Sequence, residues 1–381
     1  MKTTTKLLAI SGLHGLAASI ADIILSLYIW RLLDLRAVAQ FKMTELLLIP
    51  LLGFGIGWLG KYFGPKIGLA LGLILFCIEI IVLLTLGEQI TQHLLLIALL
   101  SGASMVCRYM SLNVLYRTAV TPKQQPPFYG NMSIVYYVLQ LVFPILSGFI
   151  ILRSGYTPLF WVALICSAII LLILYSVGTS NLKVTFAPQK AFQTLSKEII
   201  SLLFTQVWWG LEYAFFLTVL PILITSQFKG EFGWGIVMTG MSFLKIISSV
   251  LLLKSASKLQ KQKVVRMGGV LVSIGALLYA IIPTLDYFLI ILLLLQIWQV
   301  IQEVIIRPHM NALMRLPGTA RIGMQEFSYI LELPFMLGRM LMYSCIWLVS
   351  PYIQSPYAIF FLFLIVSMVP VNEARALQTK L

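Results

Sequence analysis

Runs of apolar residues close to bilayer length recur along the chain with only short breaks. Twelve can be drawn, at roughly 7–30, 38–60, 66–86, 93–116, 129–152, 157–177, 199–226, 234–256, 264–284, 287–312, 322–349 and 354–371. A helix needs about 20 such residues to cross the hydrocarbon core. Lipid offers the backbone no hydrogen-bond partners, so a span of this kind must be helical. The sequence is 60% hydrophobic and 10% charged, against about 45–50% and about 25% in soluble domains. That balance excludes a soluble enzyme or a DNA-binding domain. The pattern predicts an all-α integral membrane protein of about 12 transmembrane helices. The longest connection, 178–198, predicts a linker between two six-helix halves, 1–177 and 199–381. The first apolar run continues to Trp30, past the small residues Ala17 to Ser19, and is read as a retained span rather than a cleaved signal.

The net charge of +14 would suggest nucleic acid in a soluble protein. Across twelve spans it sorts by side instead. Eighteen of the 27 basic residues fall on the side of the N-terminus and five on the other. Basic residues collect in cytoplasmic loops, so the expected topology is a multi-pass protein of the cell membrane with both termini cytoplasmic. The remaining four, Arg108, Lys245, Arg307 and Arg339, lie within spans.

After the second span comes Gly57-Trp58-Leu59-Gly60-Lys61-Tyr62-Phe63-Gly64-Pro65-Lys66. This resembles the loop 2–3 signature of the major facilitator superfamily, G-x-L-A-D-R-x-G-R-K, with Gly57, Leu59, Gly64 and Lys66 in register. Lys61 stands where the family has Asp, and Tyr62 where it has Arg. Phe143-Pro144-Ile145-Leu146-Ser147-Gly148 in span five looks like the family's G-P-x-x-G-G helix motif without its first Gly. The resemblance implies two six-helix halves and a central cavity lined mainly by spans 1, 4, 7 and 10. It also implies alternating access, with Gly57, Leu59, Lys61, Gly64 and Lys66 as the gating loop.

Charged side chains inside spans are expensive and mark function by default. In span 10, Gln296, Gln299, Glu303 and Arg307 recur at helical spacing on one face. Such a stripe must avoid lipid, and it reads as cavity lining. Span 4 carries Ser101, Ser104, Arg108 and Ser111. Arg108 either binds an anionic substrate group or neutralises a carboxylate such as Asp22. In span 7, Thr205, Trp209, Glu212 and Phe216 share a face, and aromatics beside a carboxylate suit an amphipathic or cationic ligand. Span 1 places Ser11, Gly15, Ala18, Asp22 and Ser26 together, with His14 beside them as a hydrogen-bonded structural residue. In span 11, Glu332 and Arg339 are two turns apart and are expected to join a network between helices. Glu45 is expected near the outer mouth, and Glu79 in a structural pair.

Cys77, Cys107, Cys166 and Cys345 sit singly in apolar runs. Neither a phosphate-binding loop nor a Cys/His metal cluster is present in the sequence, so no enzyme activity, cofactor or metal is expected. The expected function is secondary active transport of a small amphipathic organic molecule, coupled to protons and directed outward. Arg108, Trp209, Phe216, Gln296, Gln299 and Arg307 are the candidate substrate contacts. Asp22, Glu212, Glu303 and Glu332 are the candidate proton carriers. Uptake of an organic anion on Arg108 and Arg307 is the runner-up, followed by a membrane sensor or transferase. The expected partners are the substrate, the proton and the lipid bilayer, with no nucleic acid, and a monomer is favoured.

Overall fold

In the computed structural model of the protein, residues 3–120, 124–177, 186–188, 197–228, 230–255, 261–302, 304, 324–353 and 355–376 are described. Twelve apolar helices run through them. The first six are α1 (Thr3–Leu32), α2 (Leu35–Phe63), α3 (Pro65–Leu86), α4 (Leu94–Ala119), α5 (Gln125–Ser154) and α6 (Thr157–Tyr175). Next come α7, which begins as Lys197–Ala214 and runs through a π turn, Phe215–Val219, into Leu220–Gln227, and α8 (Glu231–Ser255). The last four are α9 (Lys261–Ile281), α10 (Leu285–Ile301), α11 (Met324–Val349) and α12 (Pro356–Ala376). Ten are long and apolar enough to cross a membrane, and two more are shorter apolar helices.

Local chemistry sets several boundaries. Asp34 caps α2, its Oδ1 accepting from the Ala37 N–H at 2.7 Å. Gly64, at φ 80°, ends α2, and Pro65 starts α3 one residue later. Pro50 and Pro334 lie inside α2 and α11, which continue through them. At 29 residues α2 is about 43 Å long, more than the roughly 30 Å core, so it must tilt or protrude. Ile67, Leu71, Ile74, Ile78 and Ile81 follow one stripe of α3 and are exposed, as a lipid-facing stripe should be. The opposite stripe buries Leu69, Leu73, Phe76 and Ile80.

Taken in chain order, the helices make two sets, α1–α6 and α7–α12. In the first group α2 and α3 pack on α4, and α1 on α5 and α6. In the second α7 packs on α11 and α12, and α9 and α8 on α10. Two seams join the groups, α2 with α11 and α5 with α8. The α5–α8 seam is close because glycine lines it. A Cβ on Gly148 would come within 2.5 Å of the Glu231 carbonyl, and one on Gly235 within 2.5 Å of the Pro144 carbonyl. At the end away from the N-terminus, Glu231 ties the groups together. Its Oε1 accepts from Tyr156 at 2.6 Å and pairs with Arg31 at 3.0 Å. Nearby the Arg36 guanidinium lies 4.0 Å over the Trp347 ring.

Candidate functional site

Between the two groups lies a cavity of about 590 Å³. α1 contributes His14, Gly15, Ala18 and Asp22, and α5 contributes Tyr136, Tyr137 and Gln140. α7 presents Trp209, Glu212, Tyr213 and Phe216, while α8 adds Trp234 and Lys245. Gln296, Gln299 and Gln302 come from α10 and the turn that continues it. The lining departs from the expected spans 1, 4, 7 and 10. α5 and α8 supply much of the wall, because they meet at the close seam described above. α4 supplies Tyr109 alone. Asp22, Trp209, Glu212, Phe216, Gln296 and Gln299 are therefore brought together, while Glu303 and Arg307 lie outside the described residues.

Glu212 is buried and accepts from two donors on α10 and its extension. Trp298 Nε1 donates at 3.0 Å, and the Gln302 amide donates closely to the other oxygen. Both donors are N–H groups, an arrangement suited to a carboxylate. Neither Trp298 nor Gln302 was singled out from sequence. Gln302 does extend the amide pattern of Gln296 and Gln299, and it was the signal available.

A smaller cavity of about 60 Å³ adjoins the first, sharing Asp22, Tyr109, Tyr213, Leu217 and Phe335 with it. It collects the charges that sequence left scattered. Lys42 Nζ lies 2.9 Å from Glu45 and 3.6 Å from Asp22. Ser101 donates to Glu45, and Tyr109 donates to Asp22 at 3.3 Å. Glu45 is therefore buried in this cluster rather than placed at an outer mouth, because Lys42 sits one turn before it on α2. Across the cavity Glu332 and Arg339 pair at 3.5 Å, within α11 rather than bridging to other helices.

Arg108 lines neither cavity. It is 2% exposed, held by Ser104 at 3.0 Å, with its guanidinium 4.1 Å over the Phe76 ring of α3. The polar stripe of α4 turns toward α2 and α3, and Lys42 rather than Arg108 neutralises Asp22. His14 is also not the hydrogen-bonded residue expected. It is buried, neither ring nitrogen has a hydrogen-bond partner among the described residues, and it meets Tyr109 edge-on at 5.3 Å. Neither oxygen of buried Glu79 has a hydrogen-bond partner among the described residues, where a structural pair was expected.

A family profile, Major Facilitator Superfamily, matches residues 7–325. The chain belongs to the major facilitator superfamily. A curated relative, YqgE of Bacillus subtilis strain 168, is 24% identical over 287 residues, which cover 71% of this chain and 64% of that protein. The matched part thus spans just under two thirds of the relative's length. Among solved structures, an auto-inhibited POT family peptide transporter superposes with a TM-score of 0.73 at 10% identity, covering 100% of this chain and 98% of that one. A bacterial homologue of the iron transporter ferroportin, inward-facing, gives 0.73 at 14% identity with 98% of each chain covered. The nucleoside transporter NupG gives 0.68 at 15% identity, again with 98% of each covered. At these identities the likeness shows the fold, that of a multi-pass membrane transporter.

In this superfamily member the loop 2–3 motif is held by hydrogen bonds and packing. Lys66 Nζ donates to the carbonyls of Val177 at 2.9 Å and Tyr175 at 3.1 Å, which ties the loop to the C-terminal end of α6. Leu59 packs against the core and Lys61 is exposed, its ammonium 5.5 Å from the Tyr62 ring. Gly57 meets Phe186 from the connecting segment, whose ring would overlap any Cβ there. Phe186 also touches Phe54 at 5.6 Å and Tyr329 at 6.2 Å between ring centroids. Ala187 N–H donates to Glu326 at 2.7 Å, and Tyr329 OH donates to the Pro50 carbonyl at 3.1 Å. An aromatic contact between α2 and α11 thus stands beside a motif whose usual acid and Arg are replaced.

Proposed function

We propose that this transporter exports a small amphipathic organic molecule, with a cationic or hydrogen-bonding head, in exchange for protons. The observation that carries the reading is Glu212. It is a buried carboxylate, held by Trp298 and Gln302, in the wall of a 590 Å³ cavity beside Trp209 and Phe216. Aromatic faces next to a carboxylate attract cations, and the amides of Gln140, Gln296 and Gln299 give a tolerant polar wall. Because both helix groups line the cavity, a bound molecule is contacted from both sides of the α2–α11 and α5–α8 seams. Rocking about these seams would expose it to one face at a time. Outward transport suits such a wall, which collects amphipathic molecules from the cytoplasm and the inner leaflet. Cytoplasmic termini in the cell membrane follow from the distribution of basic residues. The anion reading loses Arg108, which lies outside the cavity.

The test is flux of ethidium in proteoliposomes with an acidic lumen. Accumulation that a protonophore collapses, and that Glu212→Gln abolishes while the protein still folds, supports the reading. Ethidium flux indifferent to the pH gradient, or equal in Glu212→Gln, overturns it.

A further inference from the structure

Three charged side chains line the large cavity, Asp22, Glu212 and Lys245, and each is already engaged. Asp22 faces Lys42 at 3.6 Å and accepts from Tyr109 at 3.3 Å. Glu212 accepts from Trp298 and Gln302, and Lys245 has a partner of its own. The neutral groups of the wall differ. The amides of Gln140, Gln296 and Gln299 line the same cavity and bond to no group among the described residues. Gln296 is only 5% exposed. The indole N–H of fully buried Trp234 also lines the cavity and has no hydrogen-bond partner among the described residues. Buried polar groups without partners are costly, so these groups mark where a ligand is read.

The amides stand beside aromatic surface. Consecutive spans alternate in direction, so α7 and α10 run antiparallel. Glu212 sets their register by reaching Trp298 and Gln302. At about 1.5 Å per residue, Phe216 lies roughly 6 Å from Glu212 along α7, about level with Gln296 on α10. Gln296 and Gln299 are three residues apart and share one helix face. A charged cargo would have to displace an existing partner of Asp22, Glu212 or Lys245. A sugar, with hydroxyls all round, would leave several of them against Phe143, Pro144 and Phe216.

We propose that the cargo is a planar nitrogen heterocycle read through a lactam edge by Gln296, with its ring against Phe216. The proposal rests on the cavity being the cargo site of the transport reading above, and it narrows the head of that cargo to a hydrogen-bonding one. A carboxamide carries a donor and an acceptor side by side. A lactam presents the complement: its N–H donates to the Gln296 carbonyl, and its C=O accepts from the Gln296 amide nitrogen. The same amide chemistry reads base edges in nucleic acids as a bidentate pair. Gln299 and Gln140 meet the remaining polar atoms, and the aromatic wall takes the flat faces. Nucleosides and flavins both carry such an edge.

Isothermal titration calorimetry of the full chain in lipid nanodiscs, with no ion gradient, tests this with two matched pairs: inosine against 1-methylinosine, and riboflavin against 3-methylriboflavin. In each pair one methyl group replaces the lactam hydrogen and leaves the ring system in place. At least one parent should bind, and its methylated partner should bind about tenfold or more weakly, as the loss of a bidentate pair requires. Which parent binds decides between a nucleoside-like and a flavin-like source. Gln296→Met should bring the affinity ratio close to one, whereas Phe216→Leu should weaken both members of the pair alike. The matched ligands carry the test on the unaltered chain even if a variant does not fold. Equal affinity within each pair, no binding of either parent, or a ratio that survives Gln296→Met overturns the proposal. Binding of ethidium or of D-glucose in place of both parents overturns it too, in favour of a cation or a sugar. Failure of proton-driven ethidium flux would refute the export reading and leave this recognition standing.

Discussion

Phe186 is the sharpest point at which to test whether an aromatic contact has replaced the charges missing from the loop 2–3 motif. The ring is 7% exposed and sits between α2, through Phe54 and Gly57, and α11, through Tyr329. A Phe side chain buries roughly 150–250 Å², which at about 25 cal/mol per Å² gives about 4–6 kcal/mol for full removal from water. Alanine keeps the Cβ, and core Phe→Ala changes cost about 3–5 kcal/mol. Phe54, one of the three partners, is itself 50% exposed, so the seat is shallower than a core site. A loss of about 2 kcal/mol is the reasonable figure, or roughly 30-fold in the equilibrium between seated and open states. Phe186→Ala should therefore open the end of the bundle that carries the N-terminus. The assay is the rate at which a membrane-impermeant thiol reagent labels Ser133→Cys, a cavity position on α5, after Cys77, Cys107, Cys166 and Cys345 are replaced by Ser. Labelling from the N-terminal side should rise roughly 30-fold, with Phe186→Leu between the two. A rate within about threefold of the parent would mean that the seat adds under 1 kcal/mol, and the compensation argument would fail.

Three further outcomes are expected. Gly338→Ala should destabilise the purified protein by about 1–3 kcal/mol, since its Cβ would overlap the Val207 carbonyl of α7, while Gly240→Ala, with open space around it, should not change the melting temperature. Trp298→Phe should cost about 1.5–3 kcal/mol in denaturant titration, because the fully buried Trp298 donates to the Glu212 carboxylate. Arg31→Ala should leave the melting temperature nearly unchanged, since the Arg31 side chain is 60% exposed where it meets Glu231 and exposed pairs contribute under about 1 kcal/mol.

What sequence could and could not reveal follows from what a polar stripe means in a membrane protein. The apolar runs located eleven of the twelve helices to within about five residues at each end, because only a helix satisfies its backbone in lipid, and the far end of the tenth run, 287–312, lies outside the described residues. The stripes of α7 and α10 turned out to face the cavity at Trp209, Glu212, Phe216, Gln296 and Gln299. The stripe of α4 did not, although it obeys the same rule. Ser101, Ser104 and Arg108 avoid lipid by facing α2 and α3. Spacing reports that a face is not in lipid, and a bundle of twelve helices has many such faces. The same ambiguity hid α5, where Ser133, Tyr136, Tyr137 and Gln140 follow helical spacing into the cavity. Their aromatic and neutral character drew less attention than a charge. Lys42 and Glu45 were illegible for a different reason. Their partner Asp22 lies on another helix, and only the fold brings the two helices to 3.6 Å.

The local geometry of α1 shows a further limit. Ser11, Gly15, Ala18, Asp22 and Ser26 share one face of a regular helix, yet only Gly15, Ala18 and Asp22 of these line the large cavity, with Ser11 and Ser26 beyond its two ends. A π turn covers Ile20–Ile24. Such a turn accommodates one extra residue, and each residue advances a helix by about 100°. Positions beyond the turn are out of register with those before it, and the Ser26 hydroxyl donates to the Asp22 carbonyl at 2.6 Å. α7 carries a π turn at nearly the same depth, Phe215–Val219, and the two turns pack against each other. Leu217 and Thr218 from the second turn line the small cavity, as Asp22 from the first does. The irregular turns of the first helix in each group thus converge on the small cavity. Neither turn has a Pro or Gly within it, so nothing in the local sequence announces the break. What distinguishes the two places is tertiary: they meet where α1 packs against α7.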